Sequence, residues 1–485
     1  MKRRSPGRAS LSRRDLLKGL AGIGMLMPMG AVEALATYPV NEISEANPLP
    51  VGSPLSARDD SLLEQIERAN FLFFWEQTNP STGLTRDRFN VRSSSASNLG
   101  SIAATGFGLT ALCIGEQRGY ISYEQASERA LTAMRFLWKK LPHERGFFYH
   151  WADVTDGHRL AHSEVSSIDT AVLLCGILTC RAHFRHSEIN ELAQRIFNRV
   201  DWRWLSEDTL ILPMGWTPET GFLHYRWDDY SELMMLYLLG LGSETHPLPP
   251  GTWEAWKRSN FDYEGIKYIG SSAPLFVHQY SQAWFDFRGK RDHYADYYEN
   301  SILATEAHRR FCLNLAREFP DYGPQLWGIT ASDSQNSYTV WGGPPKSGPI
   351  DGTIVPCASA GSLPFLPEAV MRVLRTIHNR YGAGTWSQYG FVDAFNPLIN
   401  WYDSDVVGID TGITMVMVEN ARTGWIWETF MKNPEAQRGM ERAGFKSYSP
   451  APYPIIRAEP TSHASIGAGL LRRAASRWNA GEGRS

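Results

Sequence analysis

The 485-residue chain has only five cysteines, Cys113, Cys175, Cys180, Cys312 and Cys357, too few for a disulfide framework. Most lie in apolar runs where a buried free thiol is expected, so we assign neither a disulfide nor thiol chemistry. Beyond residue 36 the sequence lacks an apolar run of about 18 residues, which predicts no membrane-spanning helix there. It also lacks a phosphate-binding loop, a dinucleotide-binding fingerprint and a Gly-x-Ser-x-Gly elbow.

The first 36 residues resemble a twin-arginine export signal. A basic head (2–8), the pair Arg13-Arg14, an uncharged stretch (19–32) and the small-x-small site Ala34-Leu35-Ala36 follow one another. We predict cleavage after Ala36 and a periplasmic or secreted protein. Residues 37–58 would then form a flexible arm, and 59–485 a single domain.

The sequence also has no excess of positive charge. Residues 1–36 carry seven Lys/Arg and two Asp/Glu, so their removal takes the net charge from −3 to −8. Nucleic acids and anionic membranes are bound by basic surfaces, so we expect neither as a partner of the mature chain.

What the chain has in abundance is aromatic side chains: 17 Trp, 20 Tyr and 22 Phe. Many lie in Gly/Pro/Asp-rich connections, where a ring face suits the C–H bonds of a sugar. For any single loop aromatic, it is equally plausible that the side chain only fills a gap over the core. Trp327, Trp401 and Tyr389 are the candidates for sugar contacts.

Helical periodicity dominates after the arm, and capping or turn residues mark about twelve segment starts. These starts lie near Asp60, Ser101, Ser122, Ser167, Ser187, Asp229, Ser272, Asp292, Pro356, Pro367, Gly408 and Trp425. Strand signals are few, and the clearest is an alternating stretch over 146–162 that predicts a hairpin.

The helical segments are of two kinds. Segments 122–140 and 292–317 are charged on one face, whereas 168–180, 233–241 and 409–418 are apolar nearly all round and require protein on every side. This alternation predicts an all-α fold, a toroid of six helical hairpins with an outer and an inner ring of helices. A linear solenoid is the alternative, but no fixed repeat period supports it.

In such a ring the inner helices run parallel, so the acids at their starts should meet at one rim. These acids are Glu164, Asp169, Asp228, Asp229, Glu232 and Asp410. Asp228 and Asp229 are better explained as helix caps, although Asp229 stays a candidate substrate contact.

Glu232 shares a helix face with Met235, Leu236 and Leu239. Apolar surroundings raise the pKa of a carboxyl, which suits a general acid, whereas helix N-termini favour the anion. Glu164, Asp169 and Asp410 are therefore candidates for the complementary base or nucleophile, as glycoside hydrolysis requires.

We expect no metal site. His158 and His162 are four residues apart, but no Glu stands in the zincin position. The Asp403-Ser404-Asp405 sequence lacks the remaining ligands of a calcium loop.

Several separated motifs, in one order, resemble the glycoamylase-like family, which includes bacterial endo-β-1,2-glucanases of glycoside hydrolase family 144. The motifs, between residues 60 and 445, are 163–171 (SEVSSIDTA), 229–232 (DYSE), 322–333 (YG to WGITASD), 351–353 (DGT), 389–396 (YGFVDAFN) and 408–410 (GID). The resemblance implies a six-hairpin toroid, a cleft at one rim, and action on a β-glucan without a cofactor. Glu232 matches the position of the family's acid.

We therefore expect an exported, monomeric glycoside hydrolase that cleaves a β-glucan, most simply a β-1,2-glucan. Asp333 joins the aromatic candidates and Asp229 as a substrate contact. Two alternatives stay open: a polysaccharide lyase with Tyr149 or His150 as base, and a non-catalytic periplasmic glycan-binding protein.

Overall fold

The structure is a computed structural model that describes residues 56–346 and 348–449. The predicted export signal, most of the predicted arm and the segment 450–485 lie outside the described residues. The division into signal, arm and single domain therefore stays a prediction.

Helices make up most of the described fold. They are α1 (Ala57–Gln77), α2 (Ile102–Gln117), α3 (Tyr123–Lys139), α4 (Ser167–His183), α5 (Ser187–Arg199), α6 (Trp202–Ser206), α7 (Leu233–Gly242), α8 (Thr252–Ala255), α9 (Tyr297–Asn314), α10 (Pro356–Ala360), α11 (Pro367–Thr376), α12 (Gly382–Thr385), α13 (Gly408–Arg422), α14 (Trp425–Phe430) and α15 (Pro434–Arg442).

Short antiparallel strands connect the helices. They are β1 (Arg88–Asn90), β2 (Leu99–Ser101), β3 (His143–Glu144), β4 (Phe147–Phe148), β5 (Trp151–Asp153), β6 (Val165–Ser166), β7 (Gly215–Thr217), β8 (Gly221–Phe222), β9 (Ser259–Tyr263), β10 (Ile266–Gly270), β11 (Lys290–Arg291), β12 (Ala331–Ser332), β13 (Thr339–Val340), β14 (Trp386–Ser387), β15 (Gly390–Phe391), β16 (Phe395–Asn396), β17 (Trp401–Tyr402), β18 (Asp405–Val407) and β19 (Lys446–Ser447). β6, β7 and β8 form one sheet, and three pairings, β1 with β18, β2 with β5 and β11 with β19, join distant parts of the chain.

The predicted difference between enclosed and half-exposed helices is present. Every residue of α7 is buried, as is every residue of α13 except Ile409. By contrast, α3 and α5 bury one face and pack against each other. The apolar helices thus form the core, as a helix without a polar face must.

Serine side chains cap the N-termini of several helices. The hydroxyl groups of Ser101, Ser122 and Ser166 accept the backbone N–H three residues on, and Ser122 forms a capping box with Gln125. Most predicted starts agree with the structure to within a few residues. The helix predicted to start near Asp229 is α7, which begins at Leu233, so Glu232 occupies its N-cap.

Two glycines allow α2 and α4 to pack closely. A Cβ atom on Gly176 would lie 2.1 Å from the carbonyl oxygen of Gly106, and one on Gly106 would lie 2.5 Å from that of Val172. Real atoms do not approach this closely, so the contact requires residues without a side chain.

Two predicted elements differ from the structure. The helix predicted near Ser272 is replaced by 3-10 turns at Leu275–His278 and Ser281–Ala283. The buried amides of Gln279 and Gln282 donate to the carbonyls of Ala358 and Tyr297, so contacts with other elements fix this segment. The stretch 146–162 does turn back on itself, with a bridge between Ala152 and Arg159, but β5 pairs with β2.

No helix in the described part of the chain is both long and apolar enough to cross a bilayer. All five cysteines are buried and free, and the Sγ atoms of Cys113 and Cys180 lie 3.6 Å apart.

Candidate active site

The starts of α2, α4 and α13 lie side by side. The amide of Ile102 donates to the carbonyl of His150 (3.4 Å), and the amide of His150 donates to that of Glu164 (2.9 Å). The amide of Gly408 donates to the carbonyl of Asp87 (2.7 Å), whose own amide bonds to strand β2 just before α2. Backbone hydrogen bonds therefore bring the leading ends of three enclosed helices to one rim.

Two predicted carboxylates meet at this rim through a histidine. His150 Nδ1 lies 3.5 Å from Glu164 Oε1, and His150 Nε2 lies 3.7 Å from Asp169 Oδ2. Glu164 and His150 are buried, and Asp169, in the first turn of α4, also accepts the hydroxyl of Ser166. The imidazole of His150 therefore lies between the two acids.

The turn before Glu164 has unusual backbone geometry. Ala161 and His162 both have positive φ, 54° and 48°, in the left-handed region that is costly for residues with a side chain. The Arg159 side chain donates to the carbonyls of His162 (2.8 Å) and Ser163 (2.6 Å). These bonds hold the strained turn and fix the direction in which the chain reaches Glu164.

Glu232 is 6% exposed at the N-cap of α7. Its carbonyl accepts the hydroxyl of Ser281 (2.8 Å), whose oxygen in turn accepts the amide of Met235 (3.0 Å). The chain leading to Glu232 passes the start of α4, where the indole of Trp227 donates to the hydroxyl of Ser167 (2.9 Å). The start of α7 is thus joined to the start of α4.

Asp410 lies in the first turn of α13 and faces Asp393, which follows strand β15. Burial and the charge of Asp410 raise the pKa of Asp393 well above its usual range. A proton shared by the two carboxyls would leave one charge where two would repel, as in other close carboxyl pairs.

Asp333 follows strand β12 at the edge of this group. Its Oδ2 accepts a hydrogen bond of 2.5 Å from the Arg88 guanidinium, and its amide donates to Asp393 Oδ2 (2.7 Å). Arg88 also pairs with Asp87 (3.0 Å) and Asp405 (3.5 Å). One guanidinium therefore organises three acids from separate parts of the chain.

Two of the predicted sugar contacts are buried in this structure. Trp327 is fully buried, and Tyr389 is 1% exposed with its hydroxyl between Glu76 and Gln77. A ring packed on both faces offers no surface to a sugar. Trp401 is half-buried and Asp229, which accepts the hydroxyl of Ser259 (2.9 Å), is also half-buried, so both stay predictions.

Three residues beside the predicted acids were not identified as site residues by the sequence reasoning. These are Arg88, His150 in this bridging position, and Asp393. Each lies on a strand or loop outside the helix starts that the sequence marks, and Asp393 was visible only as part of the motif 389–396. Pairing of β1 with β18 and of β2 with β5 brings them in, and single-sequence patterns do not reveal such pairings.

The chain is similar in sequence and fold to several known proteins. Residues 224–434 match the family model Glycoamylase, described as "Putative glucoamylase". The endo-β-1,2-glucanase of Chitinophaga pinensis, solved with sophorotriose and glucose, is 30% identical with a TM-score of 0.76, covering 81% of this chain and 99% of that one. A Bacteroides uniformis protein described as "putative glucoamylase" gives the same values.

A third relative is the exo-β-1,2-glucooligosaccharide sophorohydrolase of Parabacteroides distasonis. It is 27% identical over 445 residues, which cover 84% of this chain, and the chain spans about 60% of the length of that relative. The helical fold with small hairpins and the acid-lined rim thus define a class of carbohydrate-active proteins. Within it, the chain belongs to the glycoamylase family.

Proposed function

We propose that the protein is a glycoside hydrolase that cleaves a β-glucan, with β-1,2-linked glucan as its substrate. The observation that carries the proposal is the set of carboxylates beside the starts of α4, α7 and α13, in segments that hydrogen bonds join. The similarity to a Chitinophaga endo-β-1,2-glucanase and a Parabacteroides sophorohydrolase supports the choice of linkage.

Glu232 is assigned the role of general acid. Its carboxyl would give its proton to the glycosidic oxygen as the bond to the anomeric carbon breaks, so that the leaving sugar departs as a neutral alcohol. The burial of the residue, which is 6% exposed, supports this role, because burial disfavours the ionised form of a carboxyl.

Two groups compete for the complementary role. Glu164 and Asp169 share His150, whereas Asp410 shares its environment with Asp393. Either group would take up the proton that an attacking water, or a hydroxyl of the substrate acting as a relay, releases. Half-buried Trp401 is the candidate ring surface for a sugar.

We extend the proposal to the overall shape and the location. The enclosed and half-exposed helices, with α13 packed on both α1 and α2, support a closed ring of six helical hairpins. The N-terminal signal supports export by the twin-arginine route, and N-terminal sequencing of the exported protein should give Thr37 as its first residue.

The experiment is incubation of the mature protein with purified β-1,2-, β-1,3- and β-1,4-glucans, followed by an assay of new reducing ends and sizing of the fragments. We expect new reducing ends from the β-1,2-glucan. Glu232→Gln removes the transferable proton and should lower kcat by about 10²- to 10⁴-fold without lowering Tm. Glu254→Gln, on the exposed side of α8, is the matched control and should keep full activity.

The rival functions give different products. A lyase would release an unsaturated fragment that absorbs ultraviolet light, and a glycan-binding protein would retain oligosaccharides without new reducing ends. A folded Glu232→Gln variant with wild-type kcat would overturn the assignment of the acid.

A further inference from the structure

Three aspartates from separate loops converge beside the candidate active site. Asp333 follows β12, Asp393 lies between β15 and β16, and Asp403 lies between β17 and β18. One carboxylate oxygen from each residue lies within 4.8 Å of the other two. The Asp333 amide already donates to Asp393 Oδ2 (2.7 Å), so two of the three loops are in direct contact.

Asp403 has a buried oxygen that nothing satisfies. Its Oδ1 accepts the amides of Ser404 (2.7 Å) and Asp405 (3.2 Å), whereas its Oδ2 has no hydrogen-bond partner although the residue is only 9% exposed. A buried carboxylate oxygen without a partner is costly, and such atoms are normally paired or coordinate a metal.

The surrounding charge is strongly negative. Asp87, Asp333 and Asp405 pair with the half-buried guanidinium of Arg88, and the charges of Asp333, Asp403 and Asp410 act on Asp393. Arg92 is exposed and reaches only the carbonyl of Asp403 (3.2 Å). The group therefore needs either protons or a cation.

We propose that Asp333, Asp393 and Asp403 bind a calcium ion. Calcium lies about 2.3–2.6 Å from its oxygen ligands, so ligands on opposite sides of it are roughly 5 Å apart, which the 4.8 Å limit allows. Magnesium requires about 2.0–2.1 Å and would need the loops to draw closer. Arg88 occupies only Oδ2 of Asp333 and leaves Oδ1 for the ion.

Such an ion would join three loops that the sequence separates. It would replace repulsion among the carboxylates by attraction to a common centre and supply the partner that Asp403 Oδ2 lacks. Water and the partly exposed side of Asp333 would complete the coordination, since calcium takes six to eight oxygen ligands.

The test is the melting temperature of the chelator-treated, mature protein during titration with CaCl2. Wild-type protein should gain a few degrees in Tm and then saturate, because an ion that binds only the folded state stabilises it. Asp403→Asn keeps the amide-accepting oxygen but removes the charge. We expect its Tm in chelator to equal or exceed that of the wild type, and to stay constant when calcium is added.

Glu128→Gln, an exposed acid on α3, is the matched control and should respond to calcium as the wild type does. Terbium luminescence on the wild-type protein gives a readout that does not depend on any variant. The proposal is overturned by a wild-type Tm that calcium does not change with no terbium signal, by an equal calcium response in Asp403→Asn, or by an equal response to MgCl2. Because the readouts are stability and ion binding, they are independent of hydrolysis.

Discussion

Neighbouring charges decide the state of each buried carboxyl in this protein. Burial raises the pKa of Glu64, but the hydroxyl of Tyr120 and the Arg422 guanidinium outweigh it, and the net pKa is lowered. Asp393 is more deeply buried, 3% exposed against 32% for the Glu64 side chain, and has carboxylates beside it, so its pKa is raised. The same side-chain type thus serves as a fixed anion at one place and as a proton holder at another.

Individual site residues were predictable where a helix start marked them. Glu164, Asp169 and Asp410 could be placed at one rim because each lies beside the start of an apolar helix. His150 could not be assigned its place between two acids, since that depends on how β5 and the 161–164 turn fold back. The burial of Trp327 could not be predicted, because a loop aromatic and a core aromatic look alike until the loop is packed.

Buried histidines give the protein a predictable sensitivity to acid. His308 is 3% exposed, its Nε2 accepts the amide of Ile329 (3.1 Å), and burial lowers its pKa to about 3. Burial and the charge of His308 lower the pKa of His278 to about 3 as well. Below about pH 6.5 the unfolded chain binds protons that the folded chain refuses.

The stabilisation from His308 should therefore be complete above about pH 6.5 and be lost as the pH falls towards 3, by about 1.4 kcal/mol per pH unit. Urea unfolding of the wild type and His308→Asn between pH 7 and 5 measures this slope. The free energy of unfolding of the variant should change less with pH than that of the wild type. His158→Asn, at an exposed histidine, is the control. Equal slopes for His308→Asn and wild type would refute the prediction.

At the scale of elements, helix starts follow local rules and close packing does not. Ser101, Ser122 and Ser166 could be recognised as caps because the capping oxygen and its N–H are three residues apart. The 3-10 turns after Ser272 could not be recognised from the sequence, since the side-chain amides of Gln279 and Gln282 donate hydrogen bonds to distant elements. Tertiary contacts override local preference there.

The contact between α2 and α4 gives a sharp test of helix packing. Gly176→Ala would place a methyl group 2.1 Å from the carbonyl oxygen of Gly106, which forces the two backbones apart. We expect a loss of roughly 1–3 kcal/mol or more in the free energy of unfolding, measured by urea titration. Gly382→Ala is the matched control, because its Cβ meets nothing within 4 Å and its φ is −53°.

The control should be neutral or slightly stabilising, because alanine restricts the unfolded chain. If Gly176→Ala unfolds at the same urea concentration as Gly382→Ala, the close approach of α2 and α4 is wrong.

At the scale of the whole molecule, the fold class was predictable and the connections that close the fold were not. Apolar periodicity identified the enclosed helices, and hence an all-α core with small hairpins. The packing of the first helix, α1, on the late helix α13 joins residues more than 300 positions apart. Such contacts leave no periodic signal in the sequence.

Arg422 on α13 makes several of the polar contacts between α13 and α1. Its guanidinium is 4% exposed and bonds Asp60 Oδ1 (2.9 Å), Glu64 Oε2 (2.9 Å) and the fully buried Glu67, all on α1. Arg422→Met would leave the carboxyl of Glu67 buried beside Glu419 without its main counter-charge. Removing one partner of a buried ion pair costs about 3–5 kcal/mol.

We expect Arg422→Met to lower the free energy of unfolding by that amount in urea at pH 7, whereas Arg310→Met, which breaks an exposed pair with Glu306, should cost under about 1 kcal/mol. The double variant Glu67→Gln/Arg422→Met should recover part of the loss, because the stranded acid is then gone. A single-variant loss no larger than that of Arg310→Met would mean that α1 and α13 are held together by apolar packing alone. In that case the ion cluster at this end of the fold would contribute specificity of pairing without net stability.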